Sequence, residues 1–277
     1  MRVQLLRVRG AGTRDFLMSK FTARFDDISV SNTSTCSSVV KDACLLTPRG
    51  RLVDTVRIAS LLPSDEAFVL TSTHCVDDDD DDPGITHNYN LFQKLDRLIF
   101  PMDQVQLSDC GSSYKIMDIM ASSKEKVDVI LHKAMDIVQP GASNVKMADE
   151  KYKSFSNGVM IFRGTQFNFS SHKNSFYGYT IFVPDDFSGL ERQLLYELSR
   201  GDGSDASNYE SPPLVISAAE YDSLRIEYGV PSVGFEMTGD DDDGLKVGPL
   251  ELNLVDAVDF EKGCYLVSFK LIDFNVN

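Results

Sequence analysis

Two apolar runs, Ser38–Leu46 and Arg51–Leu61, flank the tetrapeptide Thr47-Pro48-Arg49-Gly50. The four linking residues carry Pro and Gly where a tight turn wants them, so the pair reads as a β-hairpin. A hairpin commits the chain to antiparallel pairing, and that excludes an all-parallel sheet. Further strand-like runs occupy 2–9, Ala67–Thr73, Val105–Leu107, Tyr114–Met120, Val159–Arg163 and Tyr179–Val183. Helical spacing appears at Leu17, Phe21 and Phe25, with Thr13 as the expected N-cap, and again at Leu91, Leu95 and Leu98. A third helix is marked by Val127, Ile130, Leu131, Met135 and Val138, and two more by Leu190–Leu198 and Ala218–Tyr228. Helices and strands interleave while strands arrive as hairpin pairs. The pattern predicts an α+β fold.

The 277 residues are 42% hydrophobic and 25% charged, enough for a sizeable core, and the net charge is −15. Asp77–Asp82 and Asp240–Asp243 supply ten of those negative charges, and without them the balance is −5. The acidity therefore sits in two loop insertions, the first within 76–84. Neither run has the alternating ligands and closing Gly of a calcium loop. No basic stripe is present, which argues against direct nucleic-acid binding. The five Cys residues include no C-x-x-C pair, so they form neither a disulfide framework nor a zinc finger, and they point to a reducing compartment. The four His residues lack metal-ligand spacing, and no metal site is expected. No apolar run approaches the ~18 residues of a membrane span. Phosphate-binding loops, dinucleotide fingerprints, zinc-protease motifs and nucleophile elbows are all absent.

Three ordered stretches remain: Asp222-Ser223-Leu224-Arg225-Ile226-Glu227-Tyr228-Gly229, then Pro249-Leu250-Glu251-Leu252-Asn253-Leu254, then Asp259-Phe260-Glu261-Lys262-Gly263-Cys264-Tyr265. With "GTRDFLMSKFTARF" and "LLTPRGRLVDTVRI" near the start, they resemble the folate-binding family of the glycine-cleavage T-protein. The likeness is to its YgfZ-like branch, which serves iron–sulfur cluster assembly, and runs from Met1 to about Leu266. The resemblance implies two mixed α+β subdomains, 1–112 and 113–266, with the K-G-C-Y motif in the second. It also implies a C-terminal β-barrel that this chain does not reach, leaving 267–277 as a non-homologous tail. Val267-Ser268 can be encoded by a splice-donor sequence, so the tail reads as translated intron. A transit leader is expected to be missing at the other end.

The implied cofactor is tetrahydrofolate, and the implied role is a scaffold assisting iron–sulfur cluster assembly or repair, in the branch tied to tRNA modification. The alternative is a tetrahydrofolate-dependent aminomethyltransferase-like one-carbon enzyme. Iron–sulfur assembly or client proteins are the implied partners, and the matrix or stroma of a mitochondrion or plastid is the implied location. Arg225 matches the arginine that meets the folate tail, where a guanidinium fork suits a carboxylate; by itself it also reads as an exposed helix Arg. Asp54 matches an aspartate near the folate ring, and equally reads as a strand-end Asp facing water. Glu251 and Asn253 alternate with leucines, and so would line one face of a strand, wet or ligand-facing. Tyr265 completes the binding set. Cys264 is the candidate reactive thiol, with Lys262 as the cation that would stabilise its thiolate, set against the reading of a small buried hydrophobe. T-proteins carry an acid where Gly178-Tyr179-Thr180 has Thr180, which argues against aminomethyl transfer.

Overall fold

The computed structural model describes residues 4–25, 38–48, 50–61, 65–71, 90–121, 123–140, 152–155, 157–164, 177–187, 189–200, 215–232 and 247–262. They fall into two compact units: residues 4–111 and 225–262 form the first, and residues 112–224 form the second. The resemblance implies a second subdomain that runs from 113 through to residue 266. The return of the chain to the first unit from Arg225 onward differs from that, and its cause is the packing of residues 250–260 on the first sheet.

The first unit contains β1 (Leu5–Arg9), α1 (Thr13–Lys20), β2 (Ser38–Leu46), β3 (Leu52–Leu61), β4 (Glu66–Thr71), α2 (Leu91–Asp96) and β5 (Gln106–Asp109). The sheet runs β2-β3-β4-β1-β5, and every pairing in it is antiparallel. The expected hairpin is β2–β3. Its register slips between Leu45 and Leu46, so that Leu45 faces Asp54 and Leu46 faces Leu52, leaving Val53 as the extra residue of a bulge. Ala43, Leu45, Val56 and Ile58 belong to a core with Phe16 and Leu17 of α1, Leu91 and Leu95 of α2, and Phe21 and Phe25. Cys44, Leu46 and Leu52 belong to a second cluster covered by Leu254, Ala257 and Val258. The hairpin is thus buried on both faces, which is why its sequence reads as nearly continuous apolar residues.

Thr13 is not the cap of α1. Gly12 holds that position without a side-chain bond, and Thr13 is the first helical residue. Its hydroxyl reaches the carbonyls of Gly10 (2.8 Å) and Asp65 (3.0 Å), tying the helix start to the β4 entry. Gly12 is required by space: a Cβ there would lie 1.8 Å from the Asp103 carbonyl oxygen.

The second unit contains β6 (Tyr114–Ala121), α3 (Lys124–Val138), β7 (Tyr152–Ser154), β8 (Met160–Arg163), β9 (Tyr177–Pro184) and α4 (Leu190–Arg200), and α5 (Ala218–Glu227) leads out of it. Its sheet runs β6-β9-β8-β7, again antiparallel throughout. Ser123 caps α3 by accepting from the Lys126 amide at 3.3 Å. Val127, Leu131, Ala134, Met135 and Val138, at helical spacing, bury against Ile161, Tyr179, Ile181 and Val183 of the sheet, with Leu190 and Leu194 of α4. The strand β7 was not expected from sequence, because its three residues are too few for a period-2 signal. Antiparallel sheets with helices on one face make the fold α+β, as expected.

Two measurements check these placements. Gly12→Ala should cost at least about 1–3 kcal/mol in urea unfolding, because backbone blocks the new methyl. Tyr179 donates to Asp128 at 3.1 Å, and burial first, then the Asp128 charge, pushes its hydroxyl up to about 12. The folded value lies above the ordinary ~10 of tyrosine, so the stabilisation is complete below pH ~10 and disappears as pH rises through about 12. Tyr179→Phe should therefore flatten the alkaline limb of a stability–pH profile, with 295 nm absorbance reporting the ionisation.

Candidate functional site

The end of the β2–β3 hairpin, the loop after α1 and the segment 247–262 meet in the first unit. Phe21 forms an antiparallel bridge with Leu45, and Leu45 in turn faces Asp54. Thr22 sits at the centre of this junction, 1% exposed. Its hydroxyl donates to the Ala257 carbonyl (2.5 Å) and accepts from the Cys44 amide (2.7 Å). Its own amide donates to the Cys44 carbonyl, and its carbonyl accepts from the Asp259 amide, both at 3.0 Å. Nothing in the sequence singles Thr22 out; only the folded chain brings its partners together.

Lys262 belongs to the same junction. Asp259 accepts from the amides of Glu261 (2.9 Å) and Lys262 (3.0 Å), a local turn typical of Asp. The turn sends the Lys262 side chain inward, where the ammonium donates to the carbonyls of Phe21 and of Ala23 (3.0 Å). These oxygens follow the C-terminus of α1, where a cation is favoured. Lys262 is 7% exposed, so it anchors the segment that leads into Cys264. Cys264 and Tyr265 lie outside the described residues.

Asp54 is fully buried, which removes the reading of a strand-end carboxylate facing water. Its charge and that of Asp42 add to burial in pushing the Cys44 thiol far above the usual range, against a lowering by the Thr22 hydrogen bond. Cys44 is accordingly an inert thiol at neutral pH.

Arg225 is also buried, at 2% exposure, and is not the surface helix arginine that its sequence alone allows. The α5 C-terminus explains its position. Gly229 takes a left-handed φ of 66°, the Val230 amide donates to the Arg225 carbonyl (2.9 Å), and the Gly229 amide donates to the Ile226 carbonyl (3.1 Å). That is a Schellman turn closed by glycine. It places the Val230 carbonyl where Arg225 Nη1 donates to it at 3.1 Å.

Glu251 and Asn253 are not on a strand. Residues 249–253 form a turn in which the Leu254 amide donates to the Pro249 carbonyl (2.9 Å) and the Asn253 amide to the Leu250 carbonyl (3.0 Å). Asn253 has φ 58°, a conformation Asn tolerates better than most residues. Glu251 accepts from the Gly248 amide and is exposed. Its alternation with leucines misled because Leu254 buries against the hairpin by turning, with Leu250 and Leu252 partly covered beside it.

In the second unit, Thr180 is 1% exposed and its hydroxyl meets Asp118 Oδ1 at 2.6 Å, with the Gly164 carbonyl at 3.1 Å. Asp118 stands directly opposite on the neighbouring strand. An acid therefore accompanies position 180 in space, though not in sequence. No cluster of three His, Cys, Asp or Glu fit to hold a metal occurs among the described residues, and no described helix is long and apolar enough to cross a membrane.

No protein-family model matches the chain, and no curated protein does either. Solved structures do match. Among them is the glycine cleavage system aminomethyltransferase T from Bartonella henselae, with a TM-score of 0.62 and 18% identity. The fold is that of a glycine-cleavage T-protein. The match covers 98% of this chain and 60% of the other, so this chain spans less than two thirds of that relative's length.

The junction predicts that Thr22→Val will cost about 1–3 kcal/mol, by leaving the buried Cys44 amide and Ala257 carbonyl without their hydroxyl partner. Hydrogen exchange should report the loss first at residues 254–259, ahead of global unfolding.

Proposed function

We propose that this protein binds tetrahydrofolate and acts as a non-catalytic scaffold of the YgfZ-like type, assisting iron–sulfur cluster assembly or repair in an organellar matrix or stroma. The T-protein fold supports a folate ligand. The observation that carries the reading is that Asp54, Arg225 and Lys262, spread over some two hundred residues, are all buried in one unit. Burying three charged side chains is costly unless each is held by hydrogen bonds or opposite charge. In this reading Arg225, which already donates to the Val230 carbonyl, would also offer its fork to a carboxylate tail, and Asp54 would be the acid near the ring. Lys262 would act by fixing the segment that presents Cys264, the reactive thiol in this reading, with Tyr265 beside it. Glu251 and Asn253, on the turn, would touch only the rim of the ligand.

The second reading is aminomethyl transfer, the activity named for the Bartonella relative. It is favoured by Asp118, which gives position 180 a carboxylate neighbour at 2.6 Å. The two readings divide on turnover. Calorimetric titration should show tetrahydrofolate binding that weakens about 10- to 100-fold in Arg225→Ala, the loss of a charged hydrogen-bond partner. Supplied with an aminomethylated carrier, the bound protein should form no methylenetetrahydrofolate. Absence of binding in the unmutated chain would overturn the scaffold reading, and turnover would replace it with the transferase.

A further inference from the structure

The turn that joins β7 to β8 contains the only Asn-Gly pair of the chain, Asn157-Gly158. Geometry dictates the glycine. Gly158 has a left-handed φ of 83°, and a Cβ there would lie 3.1 Å from Pro184 Cγ. The turn is closed by the Gly158 amide, which donates to the Phe155 carbonyl, and by the Phe155 amide, which donates to the Val159 carbonyl, both at 2.9 Å. Asn157 is half-buried and uses both ends of its side chain. Its Oδ1 accepts from the Val159 amide and its Nδ2 donates to the Val138 carbonyl, each at 3.2 Å. Val138 is the last residue of α3, so the side chain meets one of the carbonyls that a helix end leaves over and ties the turn to the helix.

Asparagine is a thermolabile residue, and a following glycine leaves the reacting nitrogen unhindered. That nitrogen attacks the asparagine Cγ and forms a C–N bond, while its proton leaves with the side-chain NH2 as ammonia. Water then opens the cyclic imide at either carbonyl, giving aspartate or isoaspartate. In the folded turn both nitrogens are engaged. The proton of the attacking Gly158 amide is held by the Phe155 carbonyl, and the departing Nδ2 is held by the Val138 carbonyl. Ring closure must therefore wait until the turn opens. The product also fits the closed turn badly. A carboxylate has only acceptor oxygens to offer the Val138 carbonyl, at the negative end of the helix dipole. Isoaspartate in addition inserts a methylene into the main chain of a turn that has no room for it.

We propose that Asn157 is a modification site whose deamidation is gated by opening of the β7–β8 turn, and whose product keeps that turn from closing again. The modification then acts as a one-way mark on molecules of this chain whose second unit has opened. It is independent of the ligand reading above.

The test is peptide mass spectrometry of the 277-residue chain, incubated folded and in urea at one pH and temperature. Conversion at Asn157 should be at least about tenfold slower in the folded chain, which corresponds to an opening free energy of about 1.4 kcal/mol. Equal rates overturn the gating. Hydrogen exchange of Asn157→Asp reads the second half of the proposal. The Gly158 and Val159 amides should exchange at least about tenfold faster than in the unmutated chain, and unchanged exchange overturns the failure to close. Asn157→Gln, which keeps an amide but cyclises poorly, should show no conversion in either state. If Asn157→Asp does not fold, the exchange is measured on unmutated chain aged in the folded state, where modified and unmodified peptides are compared within one sample.

Discussion

Every backbone and side-chain polar group of Thr22 is used to hold together pieces of chain that the sequence keeps far apart. Its hydroxyl spans the Cys44 amide and the carbonyl of Ala257, 235 residues downstream. Its amide and carbonyl bond Cys44 and Asp259. A buried hydroxyl with an unmet partner would cost more than the bond contributes, so the three stretches are fixed together or not at all. The covering of the first sheet depends on that fixing. With Ala257 and Asp259 held, Leu254, Ala257 and Val258 cover the outer face of the β2–β3 hairpin, and Lys262 reaches the carbonyls of Phe21 and Ala23.

Asp54 and Lys262 adjoin the same closure, while Arg225 is held locally at the end of α5. Asp54 is fully buried at the bulge, opposite Leu45, which itself bridges Phe21. Arg225 is held over the Schellman turn that ends α5. Buried charges are tolerated only within hydrogen-bonded networks, and they are seldom kept where apolar residues would serve as well. Cys44 illustrates the contrast. It is a thiol in the same region, but burial, with two aspartates adding to it, holds it protonated.

The second unit repeats the layout of helices over one sheet face and leaves an aromatic face with a carboxylate–hydroxyl pair. In the sequence, Thr180 looks like a missing acid. In the sheet, Asp118 stands beside it, because antiparallel register makes neighbours of residues 62 positions apart. A reading of one sequence position cannot see a carboxylate on the next strand.

Local pattern was enough for the hairpin, since Thr47-Pro48-Arg49-Gly50 encodes its own turn, and for α3, whose apolar stripe is continuous over 15 residues. The interleaving of such elements set the α+β class. Local rules fail at the cap of α1 because Gly12 is required by its closeness to Asp103, a contact no local rule contains. The Pro249–Leu254 stretch alternates like a strand, yet it turns, because the outer face of the hairpin offers a place for Leu254 and no described strand pairs with Glu251 and Asn253. The sequence by itself determined the elements, their antiparallel habit and which residue types were available for binding. The tertiary structure decided burial and partners: that Asp54, Arg225 and Lys262 are inside, that Glu251 is outside, that Thr22 joins Cys44, Ala257 and Asp259, and that Asp118 meets Thr180. The reason is that propensity and periodicity act within a few residues, whereas the hydrogen bonds that place Thr22, Lys262 and Asp118 join residues tens to hundreds apart, and burial of Asp54 and Arg225 depends on the whole packed unit.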